Sequence, residues 1–128
     1  MTNKERCRLW YINNKEKHRA NDERWRKNNP TRHKANAWKS QLKHKFGLSV
    51  EQYEVMKIAQ NNSCAICHQV EIALEFGGTR RRLSVDHCHK TGKLRKLLCI
   101  KCNSIIGLAN DKIEVLKSAI NYLEKHKT

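Results

Sequence analysis

The chain has 128 residues, 38% of them hydrophobic and 6% aromatic, and 27 Lys and Arg against 12 Asp and Glu give it a net charge of +15. A chain of that length fits one domain, or one small domain with an extension, and so thin an apolar fraction usually needs disulfides or a structural metal to hold its core. The charge points to a polyanionic partner, nucleic acid before an anionic membrane surface, and no apolar run reaches the roughly 20 residues of a membrane span.

No apolar segment follows the polar start MTNKERCRLW as a secretory signal requires. Six cysteines without a signal suggest a reducing compartment, where Cys-x-x-Cys pairs bind metal more often than they form disulfides. The expectation is a cytoplasmic nucleic-acid protein with no membrane partner.

Residues 1–46 carry 14 Lys and Arg against four acids, no Gly and one proline, Pro30. Within them Trp10–Asn21, WYINNKEKHRAN, and Trp25–Asn36, WRKNNPTRHKAN, share the pattern W-x-x-N-N-x-x-basic-H-basic-A-N at a period of 15. That period is too short for a solenoid and reads as a duplicated helical unit. Asn14 is expected to cap a helix starting at Lys15, Asn29-Pro30 to open the next as N-cap and N1, and Gly47 to end it. A solvated helix pair is the ordinary reading of such charge. The excess of one sign favours DNA contact through bases such as Arg24, Arg26 and Lys34. Trp10, Trp25 and Trp38 either stack on bases or anchor the helices. The division expected is a basic helical DNA-binding arm over 1–48 and a second domain over 49–128.

Ser49–Gln60 opens with a Ser-x-x-Gln capping box and carries Val50, Tyr53, Val55, Met56 and Ile58 as a core-facing stripe. Asn61-Asn62 breaks it. Leu74, Phe76 and Gly77-Gly78 suggest a short strand or turn, followed by a basic loop, Arg80-Arg81-Arg82, that is either solvated or in contact with phosphate. At the far end, Asp111 to Glu114 predicts an acidic helix start. The apolar residues Ile113, Leu116, Ile120 and Leu123 make that helix a cover for the preceding module, with dimerisation as the alternative.

The chemistry lies between. Cys64-Ala-Ile-Cys67 and Cys99-Ile-Lys-Cys102 are two knuckles that together complete a tetrahedral four-thiolate zinc site with no open position, hence structural. Zinc also answers the thin core. Between them the β-prone run Leu83-Ser-Val-Asp86-His87-Cys88-His89 ends in an oxygen ligand suited to Mg²⁺ or Mn²⁺ and a candidate base. Asn103 adds a neutral oxygen donor directly after the second knuckle. Phosphodiester hydrolysis needs a divalent ion, a base and cations around the charged transition state, and Lys93 and Arg95 are candidates for the last. The ordinary alternatives are that Asp86 and His87 merely cap a strand, or that the histidines bind a second zinc. Plain strand alternation also sets His87 and His89 on one face and Asp86 on the other.

Taken together, Cys64-x-x-Cys67, Asp86-His87-x-His89 and Gly92-Lys93-x-Arg95-x-Leu97-Leu98-Cys99-x-x-Cys102-Asn103 resemble the recombination endonuclease VII family of HNH, or ββα-metal, nucleases. The resemblance covers residues 61–111. It implies an α+β fold: a small zinc-stabilised ββα-metal module, preceded here by the basic helical extension and closed by a C-terminal helix. It implies structural zinc on Cys64, Cys67, Cys99 and Cys102, and one catalytic Mg²⁺ or Mn²⁺ on Asp86 and Asn103. His87 would be the general base, and His89 would contact the scissile phosphate or support the metal site. It further implies 5′-phosphate and 3′-hydroxyl ends, duplex or branched DNA as substrate, and a phage- or mobile-element-encoded protein acting as monomer or homodimer. The competing expectation from another class is a non-catalytic zinc ribbon that binds nucleic acid.

Overall fold

A computed structural model describes residues 1–127. They form helix α1 (Asn3–Asn28), helix α2 (Pro30–Gln41), a π-helical turn (Leu42–Phe46), helix α3 (Val50–Ala59), strands β1 (Ser84–His87) and β2 (Leu94–Leu98), and helices α4 (Ile100–Leu108) and α5 (Ile113–Lys125). The architecture is α+β with one two-stranded antiparallel sheet. Among the described residues no helix is long and apolar enough to cross a membrane. The chain divides into two compact units, Met1–Gln41 and Leu42–Thr128. The division falls ahead of residue 48 because Leu42 and Leu48 are both core residues, Leu42 at 0% exposure.

In the first unit a capping box opens α1: Thr2 Oγ1 accepts from the Glu5 N–H at 3.2 Å, and Glu5 Oε2 accepts from the Thr2 N–H at 2.7 Å. The helix then runs straight past Asn14, contrary to the expected cap there. Nothing near Lys15 removes a donor, and the Asn14 Nδ2 donates back to the Trp10 carbonyl at 2.8 Å within the same helix. The duplicated position behaves alike up to a point, since Asn29 Nδ2 donates to the Trp25 carbonyl at 2.9 Å. There, however, Pro30 follows. Its ring restricts Asn29 to a non-helical conformation (φ −131°, ψ 56°) and the helix stops. The Asn29 carbonyl accepts the first bond of α2, from the His33 N–H at 2.9 Å, while its side chain serves α1. Both copies also stack alike: Trp10 on His18 and Trp25 on His33 lie edge to face at 5.4 and 6.4 Å between ring centroids. No residue of α1 or α2 is buried.

In the second unit the π-helical turn ends at Gly47, whose φ of +66° suits glycine. The expected capping box of α3 is present, with Ser49 Oγ accepting from the Gln52 N–H at 3.1 Å and Gln52 Oε1 from the Ser49 N–H at 2.8 Å. Of its stripe only Tyr53 is fully in the core, 1% exposed, and its hydroxyl donates to the Leu83 carbonyl at 2.8 Å. Val50 and Met56 are half-buried, whereas Val55 and Ile58 face solvent. Burial therefore follows i, i+3, i+6 and excludes two residues of the expected face. Asn61 and Asn62 end the helix at positive φ, as expected. Leu74 and Arg80 make one bridge around the Gly77-Gly78 turn.

The hairpin is the centre of the unit. Ser84 pairs with Leu98, Val85 with Leu97, and His87 with Leu94. Two steps along β1 thus match three along β2, so Arg95 and Lys96 together oppose Asp86 in a β-bulge. Leu97 and Leu98 fill the core beneath it. On the outer side of β2, the Gln60 carboxamide bonds the backbone of Leu97 twice: Leu97 N–H donates to Oε1 and Nε2 donates to the Leu97 carbonyl, both at 2.9 Å. α4 packs against both strands. After it, Asn110 and Asp111 take positive φ and redirect the chain into α5.

The expected helix with an acidic first turn is present, and the acid in that turn is Glu114: α5 starts at Ile113, behind Lys112 with no side-chain cap, so Asp111 lies ahead of it. The expected cover fails, since no residue of α5 is buried and Leu123 is 68% exposed.

Candidate active site

Cys64 and Cys67 sit on the turn after α3, while Cys99 caps α4 and Cys102 lies in its first turn. All four sulfurs lie within 4.8 Å of one another, with Cys67 Sγ and Cys99 Sγ 3.9 Å apart. A zinc ion with Zn–S bonds of about 2.3 Å spaces its sulfurs about 3.8 Å apart, so the donor set and its spacing fit structural zinc. Backbone amides prepare the cluster: Ile66 N–H points to Cys64 Sγ at 3.4 Å and Cys102 N–H to Cys99 Sγ at 3.5 Å. Burial pushes the Cys64 thiol up, but amides of Cys67, Cys99 and Ile66 more than offset it and bring it down to about 6. Burial and the neighbouring thiols push Cys102 up to about 12, and Cys99 upward as well. The four groups would therefore all be thiolates at neutral pH only with a cation bound among them.

The second knuckle is held by a residue that sequence reasoning passed over. Glu71, 6% exposed, accepts the Ile100 N–H on Oε2 at 2.7 Å and the Ala73 N–H on Oε1 at 3.0 Å. Its charge thus lies at the positive end of α4, next to Cys99.

The bulged hairpin brings Asp86, His87, His89 and Arg95 together. The Asp86 carboxylate is 7% exposed and lies in the fork of Arg95, which donates from Nε to Oδ2 at 2.5 Å and from Nη2 to Oδ1 at 3.0 Å. Without the extra residue in β2, alternation would turn this pair apart. The His87 ring lies 4.8 Å from that of His89 and 5.4 Å from the Phe46 ring, which meets it edge to face. Arg95 Nη2 also donates to the His87 carbonyl and to Asp111 Oδ1, both at 3.2 Å. Asp111 Oδ2 lies 3.4 Å from His89 Nδ1. Hydrogen bonding to Asp86 raises the Arg95 guanidinium further, and the Arg95 bond lowers the Asp111 carboxyl.

Residues 39–125 match the recombination endonuclease VII family. The chain belongs to that family. It is 42% identical over 90 residues to the Gene 59 protein of Mycobacterium phage D29, which covers 70% of this chain and 51% of the relative. It is 37% identical over 94 residues to the Gene 59 protein of Mycobacterium phage L5, covering 73% and 54% respectively. The chain thus spans about half the length of the curated relatives it matches. No solved structure matches it.

The match to the endonuclease VII family takes in both knuckles, the hairpin, α4 and α5, and leaves out α1 and most of α2. Inside it, Asn103 is half-buried in the first turns of α4, with its backbone N–H on the Cys99 carbonyl at 2.9 Å. The oxygens of Asp86 and Asn103 are hard donors that suit Mg²⁺ or Mn²⁺. Both Asp86 oxygens are bonded to Arg95, so a cation on this carboxylate would have to displace a guanidinium. Lys93 is exposed, and its N–H donates to Thr91 Oγ1 at 3.3 Å in the hairpin turn. In the same turn Thr91 lowers the Cys88 thiol to about 7. Arg80, Arg81 and Arg82 line a shallow cleft with Tyr53, Lys57 and Glu71. Arg24, Arg26 and Lys34 are exposed on α1 and α2 of the first unit. Two partners of the site, Phe46 and Asp111, carry no motif. Only the folded contacts reveal them.

Proposed function

We propose that the chain is a metal-dependent DNA endonuclease working by the one-metal HNH mechanism. The observation that carries this reading is the gathering of Asp86, His87, His89 and Arg95 on one bulged hairpin beside a four-thiol knuckle, in a family member of net charge +15. In this reading Cys64, Cys67, Cys99 and Cys102 hold zinc. Asp86 and Asn103 hold Mg²⁺ or Mn²⁺, which supplies Lewis-acid polarisation of the scissile phosphate and charge stabilisation at the departing 3′ oxygen. His87 takes the proton from the attacking water, its ring held between Phe46 and His89. His89, Arg95 and Lys93 face the phosphate and offset its growing charge. Arg80, Arg81 and Arg82 extend the anionic track. The basic arm, through residues such as Arg24, Arg26 and Lys34, adds affinity independent of sequence. The products carry 5′-phosphate and 3′-hydroxyl ends, and the site of action is the bacterial host of a phage.

A second reading, a zinc ribbon that binds without cutting, draws on the Arg95 fork, which engages both oxygens of Asp86. Supercoiled plasmid and a branched junction, each incubated with Mg²⁺, Mn²⁺ or EDTA, separate the two. Metal-dependent nicking or linearisation is expected, with the junction arm testing branched substrates. His87→Ala should lower the rate roughly 10²- to 10⁴-fold while zinc content and DNA affinity stay at the wild-type level. Binding without cleavage by fully zinc-loaded protein would leave the ribbon.

A further inference from the structure

Arg95 Nη2 bears two hydrogens but lies within bonding distance of three acceptors: Asp86 Oδ1 at 3.0 Å, the His87 carbonyl at 3.2 Å and Asp111 Oδ1 at 3.2 Å. The three compete. If Asp86 is given up, two hydrogens meet two acceptors, and Nη2 stays fully bonded where it is. The Nε–H, now on Asp86 Oδ2, then comes free without the guanidinium leaving the site. Asp111 is built to stay. Asn110 and Asp111 hold left-handed φ of 51° and 57°, and the Asp111 N–H is tied to the Ile106 carbonyl at 3.1 Å.

Resting on the Asp86 metal site proposed above, we infer that Asp111 is a positioning residue: it anchors Arg95 so that Asp86 can pass to a divalent cation while the guanidinium remains to meet a phosphate oxygen. The resident cation of Asp86 is thus exchanged, and the displaced one is kept. In the cation-bound state the Arg95–Asp111 bond is no longer shared, so Asp111 favours that state over the forked one.

The test is Mn²⁺ affinity of the zinc-loaded full chain, read from the free-Mn²⁺ resonance, in a cycle of Asp111 and Arg95 variants. Asp111→Asn removes the charge and Asp111→Gly the whole carboxylate, and both residues tolerate the positive φ at this position. Zinc content reports the fold in each case. Arg95→Ala should tighten Mn²⁺ binding, because it removes the competing cation. Each Asp111 variant should weaken it roughly two- to five-fold, the size of one partly exposed ion pair, and should have no effect in the Arg95→Ala background. Equal weakening in both backgrounds would mean that Asp111 acts only through its field, and it overturns the inference. So does no effect in either, or tighter binding when Asp111 is replaced, which would mean that Asp111 holds Arg95 on Asp86. Asp86→Asn separates the levels. Loss of Mn²⁺ binding in this variant keeps the metal site whatever the cycle gives, whereas wild-type binding overturns both.

Discussion

Glu71 shows how much one side chain can set. Its carboxylate sits in the core and is satisfied by two amides from different segments, Ala73 beside it and Ile100 at the start of α4. Replacing it with Ala strands the Ile100 N–H at the helix end that carries Cys99 and Cys102. The expected cost is about 1–3 kcal/mol, checked by thermal unfolding of the zinc-loaded protein. Glu71→Gln, which keeps one acceptor oxygen, should lose less. Nothing in the sequence around Glu71 marks this role, because its partner lies 29 positions away. Asp111 escaped notice for the opposite reason. An acid just ahead of an apolar helical stripe reads as a helix start, and the left-handed turn that sends it to Arg95 depends on where α4 ends. The clustering of the four cysteines was legible because its chemistry is carried by residue type and short spacing.

At the level of elements, the duplicated unit contains its own control. Asn14 and Asn29 make the same bond to a tryptophan carbonyl four residues back, and the residue that follows is Lys15 in one copy and Pro30 in the other. α1 continues through the first and ends at the second. Pro30→Ala should therefore fuse α1 and α2. The amides of Thr31 and Arg32, at the open end of α2, would gain carbonyl partners at Lys27 and Asn28. Slowed hydrogen exchange at Thr31 and Arg32 is the expected signal, and unchanged exchange would mean that the break has another cause. The break at Pro30 was legible, as were the Ser49–Gln52 capping box and the stop at Asn61-Asn62, because each is a local steric or hydrogen-bonding event. The bulge opposite Asp86 was not, since register is agreed between two strands and shows in neither alone. The exposed face of α5 illustrates the same limit, because an amphipathic stripe announces that a face wants cover and not what covers it.

For the molecule as a whole, charge and chemistry are segregated along the chain. The first unit contributes exposed bases and no buried residue in either helix, while the second holds the knuckles and the hairpin. If the first unit serves affinity alone, the triple change of Arg24, Arg26 and Lys34 to Ala should reduce the slope of log affinity against log salt by about 0.9 for each charge that meets a phosphate. Cleavage at saturating DNA should change little. Anisotropy titrations at several salt concentrations check the slope, and a slope equal to that of the wild type would remove these three residues from the interface.

The bond between Gln60 and Leu97 bears on how such a molecule behaves in a crowded solution. A two-stranded sheet has two open margins, and an unfilled margin invites a strand from another copy. At Leu97 the outward N–H and carbonyl are already occupied by one side-chain amide acting as a single-residue strand, and the Ala65 N–H also reaches that carbonyl at 3.0 Å. A second chain finds no template there. The +15 charge holds copies apart at long range, and at Leu97 Gln60 closes the β2 margin at contact range.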